Sequence, residues 1–212
     1  MTKNTSRILI LLISFFLKFT SVDAQIFNVG ILTGVNACKI NGMTNAGFYK
    51  LGFQTGLFVW TSISDVGFIR AELKYSQKGN NSTPNNGTDP MITLKYIEPS
   101  FIFGYDLPLD WTKLKPKKKP YITAGITSGY LIVSDEKNIY TQSPMVKTEP
   151  LNKYDIGYDI GLGLRLSDNL SIEIRKSGSI LPIGNSSRKS YYITGNQYNS
   201  VITCILIFAF GK

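Results

Sequence analysis

The sequence predicts an all-β protein, an eight-stranded antiparallel up-and-down transmembrane β-barrel, and three observations carry that reading. Eight period-2 runs recur along residues 25–212, with little 3.6-residue periodicity between them. Their connections alternate between short turns and long polar loops. One face of the clearest runs is apolar and almost unbroken, whereas the other mixes charge with Gly. After the first 24 residues no stretch holds eighteen consecutive apolar residues, so no spanning helix competes.

Residues 1–24 read as a signal peptide, leaving 25–212 as one barrel domain. Lys3 and Arg7 form a charged n-region, and Ile8 to Leu17 is an apolar run of ten residues. Val22-Asp23-Ala24 offers a cleavage site before Gln25. Lys18 cuts the apolar run too short for a spanning anchor, and Cys38 lies too far on for a lipoprotein anchor. Cleavage removes three basic residues and one acidic one, taking the formal charge from +9 to +7.

The strands are expected at 26–37, 48–60, 67–78, 92–105, 120–133, 154–166, 170–178 and 198–210. Long polar connections follow the first, third, fifth and seventh, at 38–47, 79–91, 134–153 and 179–197. Short ones follow the second and sixth, at 62–66 and 167–169. The 106–119 turn is long and carries five lysines. The third, sixth and seventh strands show the facing most clearly. Tyr154, Ile156, Tyr158, Ile160, Leu162, Leu164 and Leu166 oppose Asp155, Gly157, Asp159, Gly161, Gly163 and Arg165. Ile69, Ala71, Leu73 and Tyr75 oppose Arg70, Glu72, Lys74 and Ser76; Leu170, Ile172 and Ile174 oppose Ser171, Glu173 and Arg175. A soluble barrel would turn the apolar faces inward. Unbroken apolar faces opposite Gly-rich ones suit lipid outside and a crowded lumen inside.

Hairpin centres set the expected registers. A centre at Ser64 pairs Glu72 with Gly56 and Lys74 with Gln54. A centre at Asp168 pairs Gly163 with Glu173 and Arg165 with Ser171, making Arg165 and Glu173 diagonal neighbours. Tyr49, Trp60, Tyr75, Tyr96, Tyr105, Tyr130, Tyr154, Phe208 and Phe210 are expected in interfacial girdles. Pro99 cannot donate to a ladder, which predicts a bulge there.

The chain contains no His. That removes Ser-His-Asp and Cys-His nucleophile systems, His general bases and His metal ligands. Two Cys make neither a disulfide framework nor a zinc site. Cys38 faces inward by parity and Cys204 outward, which opposes a disulfide between them.

The chain resembles the PorT-like outer-membrane β-barrel family of Gram-negative bacteria over essentially all of 25–212. The resemblance rests on VGILTGVN (29–36), RAELKYSQKG (70–79), YIEPSFIFGY (96–105), YITAGITSGYL (121–131) and DIGLGLRLSDNLSIEIR (159–175). Glu72 with Tyr75 to Gly79 is the most specific phrase. Two departures stand out: the final run CILIFAFGK has two residues after Phe208-x-Phe210, and the 106–119 turn is longer and more basic than usual. The resemblance implies an eight-stranded barrel in the outer membrane. It also implies, for some relatives, a link to type IX protein secretion. The outer-membrane barrel hydrolases that depend on His are excluded, and no other enzyme motif is present, so a non-enzyme is expected.

An eight-stranded barrel is just wide enough for its own side chains. The expected interior holds Arg70, Lys74, Arg165 and Arg175 against Glu72, Glu98, Asp155, Asp159 and Glu173. Buried charges must be paired, so a structural ion-pair network is expected. The sharper alternative brings Glu72 and Glu98 together as an acid–base pair or a cation site. Lys113, Lys115, Lys117, Lys118 and Lys119 form the densest charge run, either a solvated turn or a periplasmic contact for anionic lipid or a protein. No cofactor is called for. The expected partners are outer-membrane lipid and proteins of the envelope or a secretion apparatus, not nucleic acid. Two functions fit: a structural or interaction barrel, or a small transporter or ligand-binding barrel using the lumen mouth.

Overall fold

A computed structural model describes residues 27–43, 47–81, 91–108, 119–137, 150–185 and 193–210. Eight antiparallel strands run in chain order: β1 (Asn28–Met43), β2 (Lys50–Ser62), β3 (Gly67–Asn80), β4 (Met91–Asp106), β5 (Lys119–Lys137), β6 (Tyr154–Arg165), β7 (Leu170–Ser179) and β8 (Ile193–Phe210). β1 pairs with β8 and closes the barrel, so no edge strand is left with unpaired backbone groups. Residues 1–26, which include the expected signal peptide, and Lys113, Lys115, Lys117, Lys118 and most of the long connections lie outside the described residues. Lys119 opens β5, opposite Arg165.

Alternation sets the facing. In β6 every second residue from Tyr154 to Leu162 is exposed and every intervening one is buried. Leu57 and Ile126 are 63% and 65% exposed although both lie within long strands. Lipid, not water, suits such a surface. The β2–β3, β4–β5 and β6–β7 connections share one end with Asn28 and Phe210, here the turn end; the other is the loop end. At the turn end Ile63 and Ser64 N–H both donate to the Gly67 carbonyl. Asn169 Nδ2 donates to the Ala209 carbonyl at 2.8 Å, tying the β6–β7 turn to β8.

Several expectations change in detail. β1 runs six residues past the predicted end and β8 starts five residues early. Their ladder continues through polar residues with a shift between Asn41 and Met43. Gly42 makes that shift with φ +85, where a Cβ would strike the Asn196 carbonyl. The β2–β3 register is two residues from the predicted one: Glu72 pairs with Phe58 and Lys74 with Gly56. Facing survives, because a shift of two preserves parity. The β6–β7 register is as expected, with Gly163 on Glu173 and Arg165 on Ser171. Pro99 sits outward without a bulge. The register shift comes instead between Lys95 and Tyr96, where Ile132 is the extra residue on β5. Tyr96 and Trp60 leave the girdle: Tyr96 is fully buried inside, and Trp60 packs against an inner apolar cluster. Both stand at inward parity, which outweighs their nearness to strand ends. Cys38 and Cys204 are both free, one buried and one exposed.

The interior is layered. Leu32, Phe58, Ile205, Ile207 and Ala209 close the turn end, backed by Trp60. Ile40, Met43, Ile92, Leu94, Tyr96, Leu151 and Ile183 close the loop end. Charged side chains fill the space between.

Candidate functional site

The central layer is built from two strands that face each other across the lumen. Residues i and i+2 share a face of a strand, so β3 presents Arg70, Glu72 and Lys74 together and β7 presents Glu173 and Arg175. Arg175 grips Glu72 with both ends of its guanidinium, Nη1 to Oε2 at 2.7 Å and Nη2 to Oε1 at 2.9 Å. Its Nε donates to Glu173 Oε1 at 2.8 Å. Arg70 answers from the other wall, donating to Glu72 at 2.8 Å and Glu173 at 2.9 Å. Lys74 lies 3.3 Å from Glu72 and 3.4 Å from Asp159. Tyr121 and Thr123 hydroxyls donate to Glu173, and the Ser177 hydroxyl donates to Asp159. Three cations thus meet three carboxylates, all buried. Gly161 leaves the room: a Cβ there would lie 2.7 Å from Glu173 Oε1.

A second group sits toward the loop end. Lys78 lies 2.5 Å from Glu98 and 3.6 Å from Asp155. Asn199 Nδ2 donates to Asp155 at 2.8 Å and to the Tyr96 hydroxyl at 3.3 Å. Here one ammonium faces two carboxylates.

Eight of the nine expected interior residues enter these two groups: Arg70, Glu72, Lys74, Glu98, Asp155, Asp159, Glu173 and Arg175. Arg165 does not. It reaches toward the turn-end mouth and pairs with Asp106 at 2.9 Å, both side chains being partly exposed. Its guanidinium lies 5.1–5.5 Å from the ring centroids of Trp60, Phe68 and Tyr121. The expected Arg165–Glu173 coupling is therefore absent although the register is right. Glu173 is already satisfied by Arg70 and Arg175, and a long Arg reaches a free carboxylate elsewhere. Nor do Glu72 and Glu98 share a site: Glu72 is held by Arg70, Lys74 and Arg175, and Glu98 by Lys78.

The expected interior leaves out Lys78, Asp106, Tyr121 and Asn199, and places Tyr96 in a girdle instead. Parity signals Lys78, four residues after Lys74 on the same strand. Asp106 gave no signal, because it stands where the strand meets a long turn. Among the described residues no cluster of three metal-ligating side chains occurs.

The space left at the turn-end mouth is small. A cavity of about 30 Å³, lined by Trp60, Phe68, Tyr121 and Arg165 among others, has room for roughly one water.

The chain is similar to several solved structures. The Neisserial surface protein A is 16% identical, with 86% of this chain and 97% of that one aligned at a TM-score of 0.50. Ail of Yersinia pestis is 11% identical over 87% and 99%, with a TM-score of 0.45. OprG of Pseudomonas aeruginosa is 12% identical over 86% and 91%, with a TM-score of 0.43. The likeness to the Neisserial protein is of fold alone. No curated protein matches the sequence. The model of the family described as "Outer membrane protein beta-barrel domain" matches residues 23–183. The chain belongs to that outer-membrane β-barrel family, and its place is the outer membrane.

Proposed function

We propose that this barrel is a non-enzymatic structural and interaction component of the outer membrane. In this reading it acts through its loops and turns on protein partners, in the manner of a PorT-like protein attached to a type IX-like secretion apparatus. The observation that carries the reading is the filled lumen. A central layer of three cations and three carboxylates crosses the interior between two apolar layers, so its charges are committed to one another. Binding is then left to the outer surfaces and the connections. The phrase RAELKYSQKG supports the PorT-like branch.

Co-purification after mild cross-linking in native outer membrane tests this. Stoichiometric recovery of envelope or secretion proteins supports it. Recovery of the barrel alone, together with steady conductance in a planar bilayer, favours a small transporter using the lumen mouth. Tags inserted at Asn185 should label on intact cells; labelling only after permeabilisation would place the loop end in the periplasm.

A further inference from the structure

Among the described residues of β1, β7 and β8, two lysines interrupt the apolar exterior near the loop end. Along the outward positions of β1, β7 and β8, Val35, Ile174, Ile202 and Cys204 are exposed to the membrane side. Among the described residues of those three strands, Lys39 and Lys176 are the charged residues at outward parity. β8 lies between them: Ser200 pairs with Lys39 on one side and Gly178 on the other. Lys176 Nζ donates to Ser200 Oγ at 2.5 Å. Phe48, two residues before β2, covers both ammonium groups, with Nζ of Lys39 at 5.0 Å and of Lys176 at 4.9 Å from its ring centroid. The two charges therefore lie within about 10 Å of each other on one aromatic ring. No ion pair among the described residues involves either lysine.

A basic side chain on a barrel exterior costs about 2–4 kcal/mol at the bilayer midplane and about 0–1 kcal/mol near the interface. This pair stands where the apolar surface ends. Two like charges within about 10 Å of each other call for an anion, and the anion found at that depth is a lipid phosphate. The donor set fits one. Lys176 spends one of its three N–H groups on Ser200, and the Ser200 oxygen, accepting that proton, keeps its own O–H free to donate. Lys39 adds three more donors from the opposite side of β8. Phe48 holds both ammonium groups in place and shelters the contact from water, while Val35, Ile174 and Ile202 offer acyl chains a surface.

We propose that Lys39, Lys176 and Ser200, roofed by Phe48, form a seat for the phosphate of a membrane lipid headgroup. The mature chain in a non-ionic detergent is studied by native mass spectrometry with phosphatidic acid, with diacylglycerol of the same acyl chains, and with inorganic phosphate alone. The wild-type protein, and a Lys95→Gln control on β4, retain phosphatidic acid at least about tenfold better than diacylglycerol. Lys39→Gln/Lys176→Gln brings the ratio close to one, and Ser200→Ala lowers it by about threefold. Heat-modifiable gel migration reports that each variant is folded. Equal retention of the two lipids by the wild type overturns the proposal, as does an unchanged preference in the folded double variant. Inorganic phosphate binding as tightly as phosphatidic acid would also overturn it, since the seat would then read a free anion.

Discussion

Arg175 is the tie across the lumen, and Arg175→Gln tests the network most directly. The side chain is buried and makes its bonds to Glu72 and Glu173 at 2.7–2.9 Å. Its loss changes the central layer from three cations and three carboxylates to two and three. Removing one partner of a buried pair costs about 3–5 kcal/mol. Both carboxylates retain Arg70, and Glu72 also retains Lys74, so the lower end applies. About 3 kcal/mol corresponds to a change of roughly 150-fold in the unfolding equilibrium. Adding Glu72→Gln restores a two-to-two balance, so the double variant should lose at least about 1 kcal/mol less than the sum of the singles. Guanidinium unfolding in detergent micelles, followed by tryptophan fluorescence and gel mobility, measures all three variants. Arg165→Ala and Glu173→Ala supply the contrast: their charged partners differ, Asp106 against Arg70 and Arg175, and they share only Tyr121, so they should couple less than Arg175→Gln with Glu72→Gln. An undiminished midpoint for Arg175→Gln, or strict additivity with Glu72→Gln, would refute the assignment of Arg175 as the central tie.

Asp155→Asn should be nearly neutral, within about 1 kcal/mol, because it removes the surplus carboxylate beside Lys78 and keeps the shape. Glu98→Gln, which takes the closer partner at 2.5 Å, should cost visibly more in the same unfolding assay. Leu57→Arg places a cation on the lipid face and should cost about 2–4 kcal/mol in vesicles, against little for Thr55→Ser two residues away. Gly79→Ala should destabilise by about 1–3 kcal/mol, since Gly79 holds φ +142 and a Cβ would strike the Ile92 carbonyl. Arg165→Ala should change the emission of Trp60, whose ring the guanidinium approaches at 5.5 Å, while leaving the central layer intact.

Facing and strand number are legible in the sequence itself. Alternation is a local property: Glu173 and Arg175 share a face because side chains on a strand repeat every two residues, whatever the strand pairs with. The same parity separates inward Cys38 from outward Cys204 and sends eight of nine charged residues into the lumen. It misleads only where position is preferred to parity, as with Tyr96 and Trp60. The tight SDN turn sets the β6–β7 register correctly because three residues leave one good way to close. The longer SISDV turn leaves two registers of equal parity, and side-chain pattern does not tell them apart. Partner choice belongs to a different level. Arg175 meets Glu72 across 103 residues of chain, and that meeting depends on how far the closed barrel staggers β3 against β7. Arg165 takes Asp106 over Glu173 because Arg70 and Arg175 already fill Glu173. Closure and competition among long side chains are properties of the whole barrel, so no single strand's sequence records them.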